Sequence, residues 1–325
     1  MPEMTIAKAL KTAHHQLLEA DDSVVCFGED FAENGGVFEV SKGLLDAFGP
    51  TRVFDTPISE TAFIGMAVGA AATGLKPIVE LMFCDFAGVC FDQILNQAAK
   101  ARFLSNGRLK IPLVIRTTMG AGDGSGAMHS QSLHGLFASI PGLVVVAPST
   151  PADAAGLLKS AVMSDDPVIF MENKNLYGVT GSVDPALPPV PLGKARVLTS
   201  GSDITIVATS AMAHTAFEAA QALEIRGVSA TIIDPRTIKP FDYETVVASV
   251  QTTGRLLVVD EGAAFGGFAD AVVADITDRA FAALKVAPKK LTPPDTPTPY
   301  AVAAERAWLP GAGDIVDAAT KMMEA

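Results

Sequence analysis

The feature that most constrains this chain is an end-to-end alternation of short, continuously apolar runs with stretches of helical periodicity. The runs VVCFGE (24–29), RVFD (52–55), PIVELM (77–82), PLVIRTT (112–118), LVVVAPS (143–149) and PVIFME (167–172) are apolar on both faces, as strands covered by helices on either side must be. Helical patterns near 5–19, 59–73, 87–103 and 151–163 separate them. That order predicts a parallel, doubly wound α/β sheet. A connection rich in Pro and Gly follows at 174–202. The alternation then resumes with DITIVAT (203–209), VSATIID (228–234) and RLLVVDE (255–261), and with helices near 211–226, 242–252 and 266–284. A Pro-rich stretch, LTPPDTPTPY, and a helix near 312–324 close the chain. Two α/β domains are expected, 1–184 and 185–325, and 325 residues suffice for both.

Composition narrows the function class. The formal net charge of −12 argues against a nucleic-acid footprint, which needs a basic face. Charged residues are only 18% and apolar ones 49%, which favours buried elements and large subunit contacts. The longest apolar run, 62–75, is too short to span a membrane, and the first residues carry no secretory apolar core. A soluble, cytoplasmic protein is expected. Cys26, Cys84 and Cys90 form no C-x-x-C pair and read as buried thiols rather than a metal or redox pair.

Open parallel sheets bind ligands outside the carboxyl ends of their strands. The residues there are Glu29 and Asp30, the segments DTPISE (55–60) and MFCDF (82–86), the loop MGAGDGSGAMHSQS (119–132), and Glu172. Glu60 opens a helix that is apolar nearly all round. It can serve as a helix cap, or as a carboxylate held in an apolar wall and tuned for proton transfer. Gly65 and Gly69 in that helix let a second helix approach closely, in a core or a subunit interface. Gly122, Gly124 and Ala127 loosely fit a dinucleotide-binding G-x-G-x-x-A, but the next strand ends in Pro-Ser where a ribose-binding acid belongs. Gly122-Asp123-Gly124 opens like a thiamine diphosphate metal motif, but the required asparagine does not follow. These glycines are read as a mobile backbone at an active-site mouth. His129 lies just past them. His14, His15, His134 and His214 read as ordinary surface or core residues.

The segments FDTPISETAFIGMAVGAAATGLKPIVELMF, FDQILNQAAK, HSQSLHGLFASIPGL, DPRTIKPFD, VVDEG and PPDTPTPY resemble the beta subunits of the 2-oxo acid and acetoin dehydrogenase complexes, in order and over essentially the whole chain. ELMFCDFAGVCFDQILNQAAK and PSTPADAAGLL look most like the acetoin type, with the pyruvate and branched-chain types as alternatives. The resemblance implies a thiamine diphosphate aminopyrimidine-binding domain followed by a transketolase-like C-terminal domain. It implies an alpha subunit that holds the diphosphate and magnesium, an α2β2 heterotetramer, and a lipoyl-bearing acyltransferase core that receives an acetyl group.

By the same resemblance, Glu60 binds the aminopyrimidine ring and drives its proton transfer. Met82 and Phe86 pack against that ring, Glu29 lies beside it, and His129 assists proton and acetyl transfer. Carbonyls around Leu113, Ala161, Val162 and Asp166 are the family's place for a structural monovalent cation such as potassium. Met128 and Val89 depart from the pyruvate-type pattern, which often has Gln and a polar residue there. A dinucleotide-binding oxidoreductase and a non-catalytic scaffold are the competing classes. The first lacks its ribose acid; Glu60 and His129 argue against the second.

Overall fold

The computed structural model describes residues 1–184 and 186–325. Pro185, where the second domain was expected to begin, lies outside the described residues. The chain divides into two compact units, Met1–Met119 with Phe137–Leu192, and Gly120–Leu136 with Gly193–Ala325. The 184/185 boundary expected from sequence falls within the connection, and Gly120–Leu136, inside the expected first domain, clusters with the second unit.

The first unit contains β1 (Glu3–Thr5), α1 (Ile6–Ala20), β2 (Val24–Gly28), α2 (Leu44–Phe48), β3 (Val53–Asp55), α3 (Glu60–Ala72), β4 (Lys76–Phe83), α4 (Ala99–Leu104) and β5 (Val114–Met119). The chain returns to it through α5 (His134–Ala138) and continues with β6 (Val144–Val146), α6 (Pro151–Val162), β7 (Val168–Asn173) and β8 (Thr180–Ser182). Its main sheet runs in the order β6-β7-β5-β4-β2-β3, with every pair parallel. Strands β2, β5 and β7 are buried along their whole length, which is why β2 and the first residues of β5 and β7 are apolar without alternation. Helix α1 buries Ile6, Ala9, Leu10, Ala13 and Leu18 as one stripe, and Thr5 caps it by accepting the Lys8 N–H. Thr150 caps α6 in the same way, with Pro151 in the first turn, where a missing N–H costs nothing.

Departures from the expected elements have local causes. β5 starts at Val114 rather than 112, because Pro112 has no N–H for the ladder. β6 stops at Val146, two residues short of Pro148. The helix expected over 87–103 is a 3-10 turn over Cys84–Gly88, a π-helix over Gln93–Ala98, and then α4. The strands β1 and β8 pair antiparallel, Glu3 opposite Ser182, and are too short to show any period.

The second unit holds β9 (Arg196–Thr199), β10 (Ile204–Ala208), α7 (Ala211–Ile225), β11 (Ala230–Asp234), β12 (Thr237–Lys239), α8 (Tyr243–Thr253), β13 (Leu256–Val259), α9 (Phe268–Ala280), β14 (Lys289–Leu291), α10 (Val302–Trp308) and α11 (Ala312–Glu324). Its sheet order is β14-β13-β10-β11-β9. It is parallel except for the edge strand β9. Alternate residues of β10 face opposite sides. Ile204, Ile206 and Ala208 pack under α7 and α11, while the Thr205 hydroxyl meets Ser249 and Thr253 of α8. Both units are thus sheets with helices on each face, the doubly wound α/β class.

Candidate active site

In the first unit the strand order reverses at β2. From β2 the chain goes to β3 on one side and then to β4 on the other. The crevice between the carboxyl ends of β2 and β4 is therefore the topological switch point, where an open sheet takes its ligand. Gly28 ends β2 there. A Cβ on it would lie 2.7 Å from the Glu80 carbonyl, so only glycine lets the two strands close up.

Glu29 follows immediately. Its carboxyl is held above the usual carboxylate range, first by partial burial and then by the like charges of Glu60 and Asp30. The segment after it is anchored by Asp55 at the end of β3, which accepts the N–H groups of Ala32 (2.6 Å) and Glu33 (3.0 Å).

Glu60 is the first residue of α3. The Ser59 side chain makes no capping bond to the helix; its hydroxyl turns back to the Pro57 carbonyl. No hydrogen bond reaches the Glu60 side chain among the described residues. The carboxylate sits at the positive end of the helix with its acceptors open. The next residue fixes its position: the Thr61 hydroxyl donates to the Val89 carbonyl at 2.7 Å and ties α3 to the turn after β4. Burial, with the Glu60 charge as second cause, pushes the neighbouring Cys90 thiol up to about 12.

That turn supplies the apolar wall. Met82 and Phe86 are both half-buried. Thr118 of β5 donates to the Met82 carbonyl at 2.5 Å. Phe86 meets Phe83 edge-on with ring centres 5.6 Å apart. Ile58 and Val89, 76% and 60% exposed, complete an apolar rim that is open in the single chain. An open carboxylate beside a flat apolar face can grip the polar edge of a planar heteroaromatic ring and stack its face.

The helix-approach reading holds for one glycine. At Gly65 the Gln93 side chain of the π-helix comes within 3.1 Å of where a Cβ would sit, whereas nothing lies within 4 Å of Gly69. π turns concentrate at functional sites, and this one packs on the Glu60 helix.

His129 belongs to the second unit. It is half-buried, and its N–H donates to the Gly126 carbonyl at 3.2 Å. Met128 beside it is 72% exposed. The glycine loop before it has Gly120, Gly122, Gly124 and Gly126 all at positive φ. The N–H groups of the last three point at the Glu305 carboxylate, a ligand within the same chain.

Around the expected cation position, the Leu113 carbonyl accepts the Val168 N–H at 2.8 Å and the Ala161 carbonyl accepts the Ser164 N–H at 3.1 Å. The Asp166 carboxylate is committed to Arg102 at 2.7 Å. Main-chain oxygens are then left to offer an ion there, and those of Leu113 and Ala161 already accept N–H groups of the chain. Among the described residues no group of three or more His, Cys, Asp or Glu side chains is placed to hold a metal. Cys26, Cys84 and Cys90 are buried free thiols.

Three clusters escaped the sequence reading. Arg116 lies fully buried between Glu172, which it grips with two bonds of 2.7 Å, and Glu80 at 2.8 Å, while the Tyr177 hydroxyl donates to Glu172 at 2.6 Å. Burial opposes the Arg116 charge, but the two carboxylates hold it protonated. Charged letters inside the apolar runs PIVELM and PLVIRTT were the available signal. His134 pairs with Asp260 at 2.9 Å, both wholly buried, and the Thr209 hydroxyl donates to the same carboxylate. The third cluster is Glu305 with its glycine loop.

Family models match both units: the transketolase pyrimidine-binding domain over residues 2–180 and the transketolase C-terminal domain over 193–315. The beta subunit of an acetoin:2,6-dichlorophenolindophenol oxidoreductase from Cupriavidus necator is 45% identical, over 99% of this chain and 98% of its own. This chain belongs to the transketolase-like beta subunits of the acetoin and 2-oxo acid dehydrogenases. The acetoin oxidoreductase beta subunit of Bacillus subtilis is 41% identical over 98% of the chain. The pyruvate dehydrogenase E1 beta subunit of Rickettsia bellii is 42% identical over the same share. A solved split-gene transketolase, described as an inactive beta4 tetramer, superposes with a TM-score of 0.83 at 26% identity, covering 99% of both chains. As a member of this family the chain is an oxidoreductase component, and the dinucleotide-binding reading is set aside.

Proposed function

We propose that this chain is the beta half of a thiamine diphosphate-dependent component that cleaves acetoin and passes the acetyl unit to a lipoyl-bearing acyltransferase. The observation that carries the reading is the Glu60 carboxylate, open and uncapped at the switch-point crevice beside the Met82–Phe86 wall. Its residues fit the aminopyrimidine end of the cofactor. Glu60 would hold a proton at the ring nitrogen, Met82 and Phe86 would bear on the ring face, and Glu29 would lie alongside as a second, raised carboxyl. When bound, the cofactor supplies the carbanion chemistry that breaks the bond beside the carbonyl. His129, on its loop, would move a proton or assist transfer of the acetyl group.

Magnesium and the diphosphate fall to an alpha subunit in this reading. The open rim around Glu60 supports that division, as does the description of the related split-gene beta4 tetramer as inactive. An α2β2 assembly, a cytoplasmic setting and a potassium ion at the Leu113–Ala161–Val162–Asp166 carbonyls belong to the same proposal. No helix among the described residues is long and apolar enough to cross a membrane. A 2-oxo acid is the second reading, since pyruvate dehydrogenase beta subunits are 41–42% identical over the whole chain.

The test is co-expression with the alpha subunit and dye-coupled oxidation of acetoin, pyruvate and a branched-chain 2-oxo acid, with and without thiamine diphosphate and magnesium. Cofactor-dependent acetoin turnover is expected. In Glu60→Gln it should drop by roughly 10²- to 10⁴-fold, the usual worth of a positioned acid–base group. Turnover of pyruvate alone moves the substrate to the second reading. Full activity in Glu60→Gln overturns the assignment of Glu60 and revives a scaffold role.

A further inference from the structure

The Glu305 carboxylate is bound by main-chain groups of the loop that carries His129. Gly122 and Gly124 donate to Oε2 at 2.6 and 2.8 Å, and Gly126 donates to Oε1 at 3.0 Å. These alternate residues stand at φ of 121°, 85° and 72°, a backbone that side-chain-bearing residues rarely adopt. Successive N–H groups turned inward in this way form an anion-binding nest. Glu305 fills it and is wholly buried. Burial alone would raise its carboxyl; the three donors more than offset that and hold it below the usual range.

The surrounding contacts are equally close. A Cβ on Gly124 would lie 3.0 Å from Val302 Cγ2, and one on Gly126 would lie 2.9 Å from Tyr300 Cδ2. The segment 300–305 therefore lies directly on the loop. Gly126 links Glu305 to the His129 main chain: its N–H goes to Glu305 and its carbonyl accepts the backbone N–H of His129. At the base of the loop the Gly120 N–H donates to the Gln131 carbonyl at 3.3 Å. His129 thus hangs between a closed base and a pinned crest, on a glycine-rich backbone that has little stiffness of its own.

We propose that Glu305 is a positioning residue for His129: its carboxylate fills the Gly122–Gly124–Gly126 nest and fixes the loop from which the imidazole projects. This rests on the reading of His129 as the group that serves proton and acetyl transfer. Glu305 acts through the backbone of the loop that its carboxylate binds.

The experiment uses the co-expressed complex with Glu305→Ala, Glu305→Gln and His129→Ala. Three quantities are read: hydrogen exchange of the amides of 120–131, kcat and KM for acetyl transfer to a lipoyl domain, and rescue by added formate. Glu305→Ala should speed exchange across 120–131 and leave β4 and α3 unchanged. It should lower kcat by roughly 100-fold, the cost of a misplacement of about 1 Å, with KM little changed. Formate, a carboxylate small enough for the emptied nest, should restore part of both losses. Glu305→Gln, which keeps an acceptor oxygen but not the charge, should fall between, and it decides the matter if the alanine variant does not assemble.

Wild-type exchange and kcat in Glu305→Gln, with His129→Ala impaired, overturn the proposal alone. Wild-type transfer in His129→Ala overturns the reading of His129 and takes the proposal with it, even where exchange shows the loop loosened.

Discussion

Arg116 holds Glu172 through two parallel hydrogen bonds, Nε to Oε1 and Nη2 to Oε2, each 2.7 Å long. Such bidentate pairs are the strong form of a charge-assisted bond. With Glu80 on its third nitrogen, Arg116 clamps β5 and β7 to β4, the strand that borders the crevice.

Arg116→Met should therefore cost about 3–5 kcal/mol, because it leaves two carboxylates buried without their cation. Denaturant unfolding of the variant measures this. Tyr177→Phe, which removes one donor to Glu172, should cost only about 1–3 kcal/mol. Equal losses in the two variants would show that Arg116 does not compensate the pair.

Glu29 and Glu60 raise a titration test. Burial and the Glu60 charge lift the Glu29 carboxyl, so the folded chain keeps that proton to a higher pH than the unfolded chain does. Stability from Glu29 is full below the ordinary carboxylate range and is lost as pH climbs through its raised value. Glu60→Gln removes the like charge. Glu29 should then titrate lower, and the fall in stability over that window should shrink. Carboxyl chemical shifts followed against pH report it; an unmoved Glu29 would mean that burial and the Asp30 charge set its value.

His14 contributes to the acid side. Its Nδ1 hydrogen-bonds the Leu10 carbonyl at 2.8 Å and so carries the proton, leaving Nε2 without a partner. Burial first, and then the Arg116 charge, hold the ring down to about 3. The unfolded chain takes up the second ring proton near pH 6.5, the folded chain only near 3. The stability is full above 6.5 and drains by about 1.4 kcal/mol per pH unit as pH falls through the window. His14→Phe should flatten that limb in a pH series of unfolding curves. An unchanged slope would assign the acid loss to other groups.

Thr61→Val separates position from chemistry. It deletes the bond to Val89 and leaves Glu60 in place. The exposed bond should matter little to stability, at most about 1 kcal/mol. Turnover of the reconstituted complex should fall, with thiamine diphosphate still bound. Wild-type turnover would mean that α3 is held firmly enough by its buried face, Phe63, Ile64, Ala67 and Ala71.

The sheets were legible because a strand covered on both faces is mostly apolar, as VVCFG and the VIFM that opens β7 show. Glu60 was legible as a lone acid at the mouth of an apolar helix. The elements that escaped are short: β1, β8, β12 and β14 have three residues each and β9 four, too few for a period, α2 and α5 have five, and α10 lies just beyond a Pro-rich stretch. The Arg116 network needed three strands read together, since Glu80 and Glu172 are 36 and 56 residues from it. The glycine loop was read as a mobile backbone, and its pin to Glu305 lies 183 residues from Gly122, far outside any local pattern.

The bond between that loop and Glu305 has a grammar of its own. Its three donors belong to the main chain, so no letter of the loop spells them. Asp123 and Ser125 could be exchanged for other residues and the nest would still be there, provided the glycines between them keep their left-handed turns. On the other side everything rests on one carboxylate. The contact is thus tolerant at one end and exacting at the other, and a search that scores only side chains against side chains would pass over it.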